Sequence, residues 1–246
     1  MKYLLIVLLL IAPAAFGQRL NPNSSLQYAL IGWWTMNGGV ADFSGLAGGG
    51  FLEGSATWPS GMVGASLGCN GADLSVRLPT GILAYFTGGK FSFFAWINET
   101  NQTSGNTIIK NWGDSIAGMI HFDTQANSNK RLSLYVSQSD GTVIGPLTGA
   151  SDLSISTWYH VGIVANGSTI QMYLNGAATG SPGSYNGTLK TSFTNIRLGA
   201  KPDDGTGVSG STPLFFNGRM DDVRFYNRAL SFAEVLALYG GGYGAQ

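Results

Sequence analysis

Thr157-Trp158-Tyr159-His160-Val161-Gly162-Ile163-Val164-Ala165-Asn166-Gly167-Ser168-Thr169-Ile170-Gln171-Met172-Tyr173-Leu174-Asn175-Gly176-Ala177-Ala178 is the stretch that decides the fold. Two runs rich in β-branched and aromatic residues are separated by Asn166-Gly167, and Asn175-Gly176 follows the second. Asn-Gly is the strongest short hairpin signal, because a tight turn between antiparallel strands needs positive φ and these residues tolerate it. The stretch therefore predicts a three-stranded antiparallel meander over residues 157–178. Within the second run Ile170, Met172 and Leu174 alternate with Thr169, Gln171 and Tyr173. That is the pattern of a strand with one buried face.

Outward from this stretch the same vocabulary recurs. Short aromatic and β-branched runs at residues 30–36, 73–78, 90–98, 106–111, 118–123, 131–138, 157–165, 169–174, 195–200 and 216–226 are punctuated by Gly, Asn, Ser and Asp. This is the signature of an all-β sandwich or barrel. Residues 90–98 are apolar at successive positions, which predicts a strand in the middle of a sheet. One helix is expected, and it comes last: Ser231 with Glu234 forms a capping box, Val235, Leu236 and Tyr239 form an apolar stripe, and Gly240 to Gly242 end it. Residues 203–212 read as a polar loop inside the domain.

The amino terminus reads as an address. Lys2, the apolar run from Leu4 to Ile11, and Ala15-Phe16-Gly17 predict a signal peptide at residues 1–17. A lead-in would then span residues 18–29, the domain residues 30–239, and a Gly-rich tail residues 240–246. The apolar run is shorter than the roughly 20 residues of a membrane-spanning helix, so the processed chain is expected to be secreted, periplasmic or cell-surface and not membrane-spanning.

Charged residues make up 11% of the chain and the formal net charge is zero. With no basic excess, nucleic acid is not an expected partner. Cys69 is the only cysteine, so no intramolecular disulfide is available, and its apolar setting predicts a buried, inert thiol.

Several segments fall into a familiar order. They are Gly32-Trp33-Trp34-Thr35-Met36-Asn37-Gly38 with Asp42-Phe43-Ser44-Gly45, then Gly64-Ala65-Ser66-Leu67-Gly68-Cys69-Asn70-Gly71 and Phe91-Ser92-Phe93-Phe94-Ala95-Trp96-Ile97. Thr157-Trp158-Tyr159-His160-Val161, Tyr173-Leu174-Asn175-Gly176, and Gly218-Arg219-Met220-Asp221-Asp222-Val223-Arg224-Phe225-Tyr226-Asn227-Arg228-Ala229-Leu230-Ser231 complete the set. Together they resemble the laminin G-like, concanavalin A-like lectin/glucanase superfamily across residues 30–239. The resemblance implies a jelly roll of two curved antiparallel sheets with one short C-terminal helix. It does not imply one function, since such folds serve lectins, glycoside hydrolases and adhesive modules.

A glycosidase needs two carboxyl groups about 5 to 9.5 Å apart. The chain has only Glu53, Glu99 and Glu234, the last of which belongs to the helix cap. The Glu-x-Asp-x-x-Glu pattern of the β-glucan-cleaving relatives does not occur, and adjacent Asp221 and Asp222 would point to opposite faces of a strand. His160 matches a packing position of the family, and His121 receives no role. A non-enzyme is expected.

In relatives a structural calcium bridges the early loop and the last strand, and the matching positions are Asp42 and Asp221, with Asp222 as a third ligand. The alternatives are a turn former at Asp42 and, at Asp221, a carboxylate satisfied by loop N–H groups. Sugar binding calls for aromatic faces with amide or carboxylate neighbours, and Trp112 with Asp114 and Tyr185 with Asn186 are the candidates. Trp33, Trp96 and Trp158 read as packing residues. Sequons at Asn23, Asn98, Asn101, Asn166 and Asn186 would be surface sites in a eukaryotic secretory pathway. The reading is an exported binding or adhesion module for a polysaccharide or glycoprotein. A structural envelope component and a degenerate glycosidase are the alternatives.

Overall fold

The meander expected at residues 157–178 is present. In the computed structural model, strand β10 (Trp158–Asn166) pairs antiparallel with β11 (Thr169–Leu174), which pairs with β12 (Ala177–Ser184). The two Asn-Gly turns work differently. Asn175 (φ 50°) and Gly176 (φ 80°) both take the left-handed conformation. At the first turn only Gly167 (φ 95°) has a positive φ, and the Asn166 side chain accepts from the Ser168 and Thr169 backbone N–H groups, capping the loop through its amide oxygen.

The structure describes residues 25–86, 88–101, 106–124, 130–211 and 213–240. The signal-peptide segment, Asn23 and all but Gly240 of the expected tail lie outside them. The remaining elements are β1 (Leu30–Trp34), β2 (Phe51–Glu53), β3 (Leu67–Asn70), β4 (Ser75–Arg77), β5 (Lys90–Glu99), β6 (Asn106–Lys110), β7 (Ile120–Thr124), β8 (Leu132–Ser137), β9 (Val143–Thr148), β13 (Arg197–Leu198), β14 (Asn217–Tyr226) and helix α1 (Phe232–Tyr239).

They form two seven-stranded antiparallel sheets, a jelly-roll sandwich. The first sheet has the order β1-β14-β5-β10-β11-β12, with β3 also on β14, and the second the order β2-β4-β13-β6-β7-β8-β9. As its sequence foretold, β5 lies inside its sheet, between β14 and β10. The core between the sheets is largely aromatic. Phe93 of β5 packs on Phe225 of β14 with ring centroids 4.9 Å apart and meets Phe122 of the second sheet at 6.2 Å. Helix α1 begins at the expected cap, where the Ser231 hydroxyl accepts from Glu234 N–H and the Glu234 carboxylate accepts from Ser231 N–H.

Strands β2 and β9 were not among those expected, β12 runs on to Ser184 beyond the expected end at residue 178, and residues 195–200 contribute only the two-residue β13. Strands β9 and β12 carry Gly and Pro in Gly145-Pro146 and Gly180-Ser181-Pro182-Gly183, which read locally as turns. Both are edge strands, where a residue without an N–H leaves no ladder bond unmade. Asn98, expected at the surface, is buried within β5.

Gly162 on β10 faces the Phe94 ring so closely that any Cβ would overlap it. Gly162→Ala is expected to cost roughly 1–3 kcal/mol through overpacking, read as a lower urea midpoint with an unchanged slope.

Candidate functional site

The outer faces of the two sheets differ. On the first, alternation sends Leu30, Trp33, Phe94, Val164 and Tyr226 outward, where Leu26 and the helix residues Val235 and Leu238 bury them in a second apolar cluster. His160 belongs here too. It is stacked on Phe94 at 5.3 Å, and burial pushes its imidazole down to about 3, so it is a neutral packing residue as expected.

On the second sheet the outward residues are polar. One cross-strand row runs Phe51, Arg77, Arg197, Lys110, His121, Tyr135, each the register partner of the next. Two residues along the same strands lie Glu53, Ser75, Asp123 and Ser133, an acidic and hydroxyl row on the same face. The two rows neutralise one another. Lys110 Nζ lies 3.1 Å and His121 Nε2 2.6 Å from Asp123 Oδ2. Arg197 donates to Glu53, to Ser75 Oγ at 2.8 Å and to the Thr206 carbonyl at 2.5 Å.

Lys110 and Arg197 are wholly buried, so this pairing is obligatory. Burial pulls the Lys110 ammonium down, against the opposing charge of Asp123. Burial pushes the Asp123 carboxyl up, but the His121 hydrogen bond and the Lys110 charge outweigh it and hold it below its usual range. Burial also lowers His121, with Asp123 acting in the other direction.

Two of the four expected ligand residues lie at one end of this row. Trp112 is half-buried and packs edge-on to His121 at 5.9 Å and to Tyr135 at 6.2 Å, while His121 and Tyr135 are 5.1 Å apart. None of the three rings lies flat on another, so their faces are not used up among themselves. Asp114 accepts from Lys201 Nζ and Ser209 Oγ, both at 2.7 Å. Asp204 accepts from the N–H groups of Ser115 and Ile116, which fastens the 201–211 loop to the 112–117 loop.

The other two are elsewhere. Tyr185 is buried in the core between the sheets, and its hydroxyl has no partner among the described residues. It is a packing residue, not a ligand contact. Asn186 is exposed but braces a turn: its amide donates to Asp140 and its carbonyl accepts from Thr188. His121, Tyr135, Asp123 and Lys110 were missed. The signal was the polar phase of residues 106–111, 118–123 and 131–138, visible only once those strands are set in register.

The aspartates considered for calcium separate as well. Asp42 accepts from Trp33 N–H, Ser44 N–H, Ser44 Oγ and Gly48 N–H, so the 42–48 loop occupies both of its oxygens. Asp222 accepts from Trp33 Nε1 and Arg224 Nε. Asp221 is fully buried. Its Oδ2 accepts from Val63 N–H, and its Oδ1 has no partner among the described residues. Burial pushes its carboxyl up to about 7, with the charge of Asp222 adding to the effect and the Val63 N–H opposing it. Among the described residues no three His, Cys, Asp or Glu side chains converge as a metal cluster.

A family model described as the concanavalin A-like lectin/glucanases superfamily matches residues 70–236. The chain belongs to that superfamily. Among solved structures it is similar to domain 4 of AbnA, a GH43 extracellular arabinanase from Geobacillus stearothermophilus, in complex with arabinotriose. The TM-score is 0.62 at 18% identity, over 85% of this chain and 98% of that one. It is also similar to the binding domain of Paraclostridial Mosquitocidal Protein 1 (TM-score 0.67, 15% identity, 89% of this chain and 54% of that one). A third is the binding domain of botulinum neurotoxin DC in complex with SialylT (TM-score 0.62, 17% identity, 88% and 52%). The chain thus spans about half the length of the two toxin binding domains. At these identities the likeness establishes the shared fold of this superfamily member.

Two predictions follow from the buried charges. Asp123→Ala strands Lys110 and is expected to cost about 3–5 kcal/mol, whereas the double change Lys110→Met with Asp123→Leu recovers much of the loss; chemical denaturation of the three proteins reads both. Asp221 binds its proton more tightly in the folded chain than in the unfolded one. Its contribution is therefore present at about pH 4 and lost as the pH rises through about 7. In metal-free buffer the melting temperature should fall across that window, and Asp221→Asn should flatten the profile.

Proposed function

We propose that this chain is an exported, non-catalytic carbohydrate-binding module that holds a glycan on the outer face of the second sheet, at Trp112, His121 and Tyr135. The observation that carries the reading is this three-ring cluster, half-exposed at the end of a row of buried, mutually paired charges. Aromatic faces beside fixed donors and acceptors are what a sugar ring needs, one side of it being apolar and its edge hydroxylated. The superfamily and the arabinotriose and SialylT complexes of the similar structures support a glycan as the ligand class. The non-catalytic part rests on the glutamates. Glu53 is held by Arg77 and Arg197, Glu99 by Asn106 and Thr124, and Glu234 by Arg228 and the helix cap. Export rests on residues 1–17 as read above, and no helix of the described residues is long and apolar enough to cross a membrane.

Calcium, as part of this proposal, would be held by Asp221 and backbone carbonyl oxygens. The unpartnered, buried Oδ1 of Asp221 supports it. Asp42 does not enter the ligand set, because its oxygens are occupied by its own loop.

Trp112→Ala is expected to weaken binding to whichever glycan the wild type selects on an array by roughly 30-fold or more, with an unchanged near-ultraviolet spectrum away from the lost indole. An undiminished signal would move the binding face elsewhere. Calcium in excess over a chelated control should raise the melting temperature, and Asp221→Ala should abolish the rise, since a metal bound only by the native state stabilises it. An identical melt with and without calcium would remove the metal from the proposal.

A further inference from the structure

The charges around the three rings say which glycans fit, an inference that rests on the binding reading just proposed. Every charged side chain of the polar row and its flanking loops is committed inside the protein. Arg77 and Arg197 pair with Glu53, Lys110 with Asp123, and Lys201 with Asp114. Asp203 is held by the N–H groups of Gly205 and Gly207, and Asp204 by those of Ser115 and Ile116. Four cations thus stand against five carboxylates on this part of the surface. A uronate, sialate or sulfate brought here would lose water, meet a cation already held by a carboxylate, and lie in a field of its own sign. A hydroxyl loses little, because fixed ion pairs offer both donors and acceptors to it.

His121 supplies a defined contact. A carboxylate can only accept, so the hydrogen bond to Asp123 Oδ2 places the neutral imidazole's proton on Nε2 and turns the Nδ1 lone pair away from Asp123. The side chain keeps 23% of its surface, and it packs against both Trp112 and Tyr135. We propose that the ligand is an uncharged glycan, one sugar of which lies against Trp112 and Tyr135 and donates a hydroxyl to His121 Nδ1. Asp123 and Lys110 are then positioning residues: the first fixes the tautomer, the second keeps the first ionised.

Protonation of His121 replaces that acceptor with a donor and weakens the contact. The groups facing His121 are Asp123 beside it, Lys110 of β6, Lys201 of the covering loop, and the rings of Trp112 and Tyr135. Burial and the two cations resist the proton and Asp123 favours it, so the loss sets in below the ordinary histidine range.

The test is an array of neutral, uronic-acid, sialylated and sulfated glycans, followed by calorimetric titration of the best neutral hit, with arabinotriose included as a soluble neutral probe. Neutral glycans are expected to bind, with affinity nearly unchanged between about 50 and 500 mM NaCl, because no charge is screened. Acidification should weaken wild-type binding roughly three- to tenfold, the worth of one hydrogen bond. His121→Gln should bind less tightly and lose this pH response, while melting as the wild type does. Selective binding of acidic glycans with a steep salt dependence would overturn the inference and leave glycan binding standing. Neutral binding with the same pH response in His121→Gln would remove His121 from the contact. Silence across all classes would overturn the binding reading itself.

Discussion

Strand β14 hydrogen-bonds β5 along one side from Gly218 to Tyr226, while its other side is shared, first by β3 up to Met220 and then by β1 from Val223. Between the two partners the register slips at Asp221 and Asp222, and Asp222 takes a positive φ of 48°. This shared strand carries Phe225 into the core against Phe93, Phe86 and Trp34, and it aligns the pairs that build the first sheet. It also forces two adjacent carboxylates into the interior, where each must find donors or stay protonated. Trp33 and Arg224 supply them to Asp222, and the 61–65 loop supplies one to Asp221.

The same alternation that fills the core decides what each sheet turns outward. On the first sheet the outward phase is apolar, and the capped helix seals it. The second sheet's outward phase is charged and aromatic, and loops rather than a helix lie against it. Buried pairs such as Lys110 with Asp123 add little net stability over an apolar pair of similar volume. Their physical effect is to hold His121 in one orientation beside Trp112 and Tyr135.

Part of the candidate site was close to legible. Trp112 and Asp114 stood out because an aromatic beside a carboxylate in a Gly-containing loop is an uncommon local combination. Tyr185 with Asn186 showed the same pattern in residues 185–186, yet the Tyr185 ring turns inward and the Asn186 amide serves its own turn. Local composition cannot tell these cases apart, because side-chain direction depends on how the segment meets the sheet. His121 was passed over for the opposite reason: its neighbours Phe122 and Asp123 look ordinary until Lys110 and Tyr135 arrive as register partners from the strands on either side.

The antiparallel meander, the central place of β5 and the capped helix were set by the sequence alone, since hydrophobic period, Asn-Gly turns and a capping box act over a few residues. Edge strand β9, the run of β12 on to Ser184, the bulge in β14 and the alignment of Phe51, Arg77, Arg197, Lys110, His121 and Tyr135 were decided only by the tertiary structure. An edge position excuses Gly and Pro, and a register joins residues from six strands. Both are properties of neighbours far apart in the chain, to which no local pattern responds.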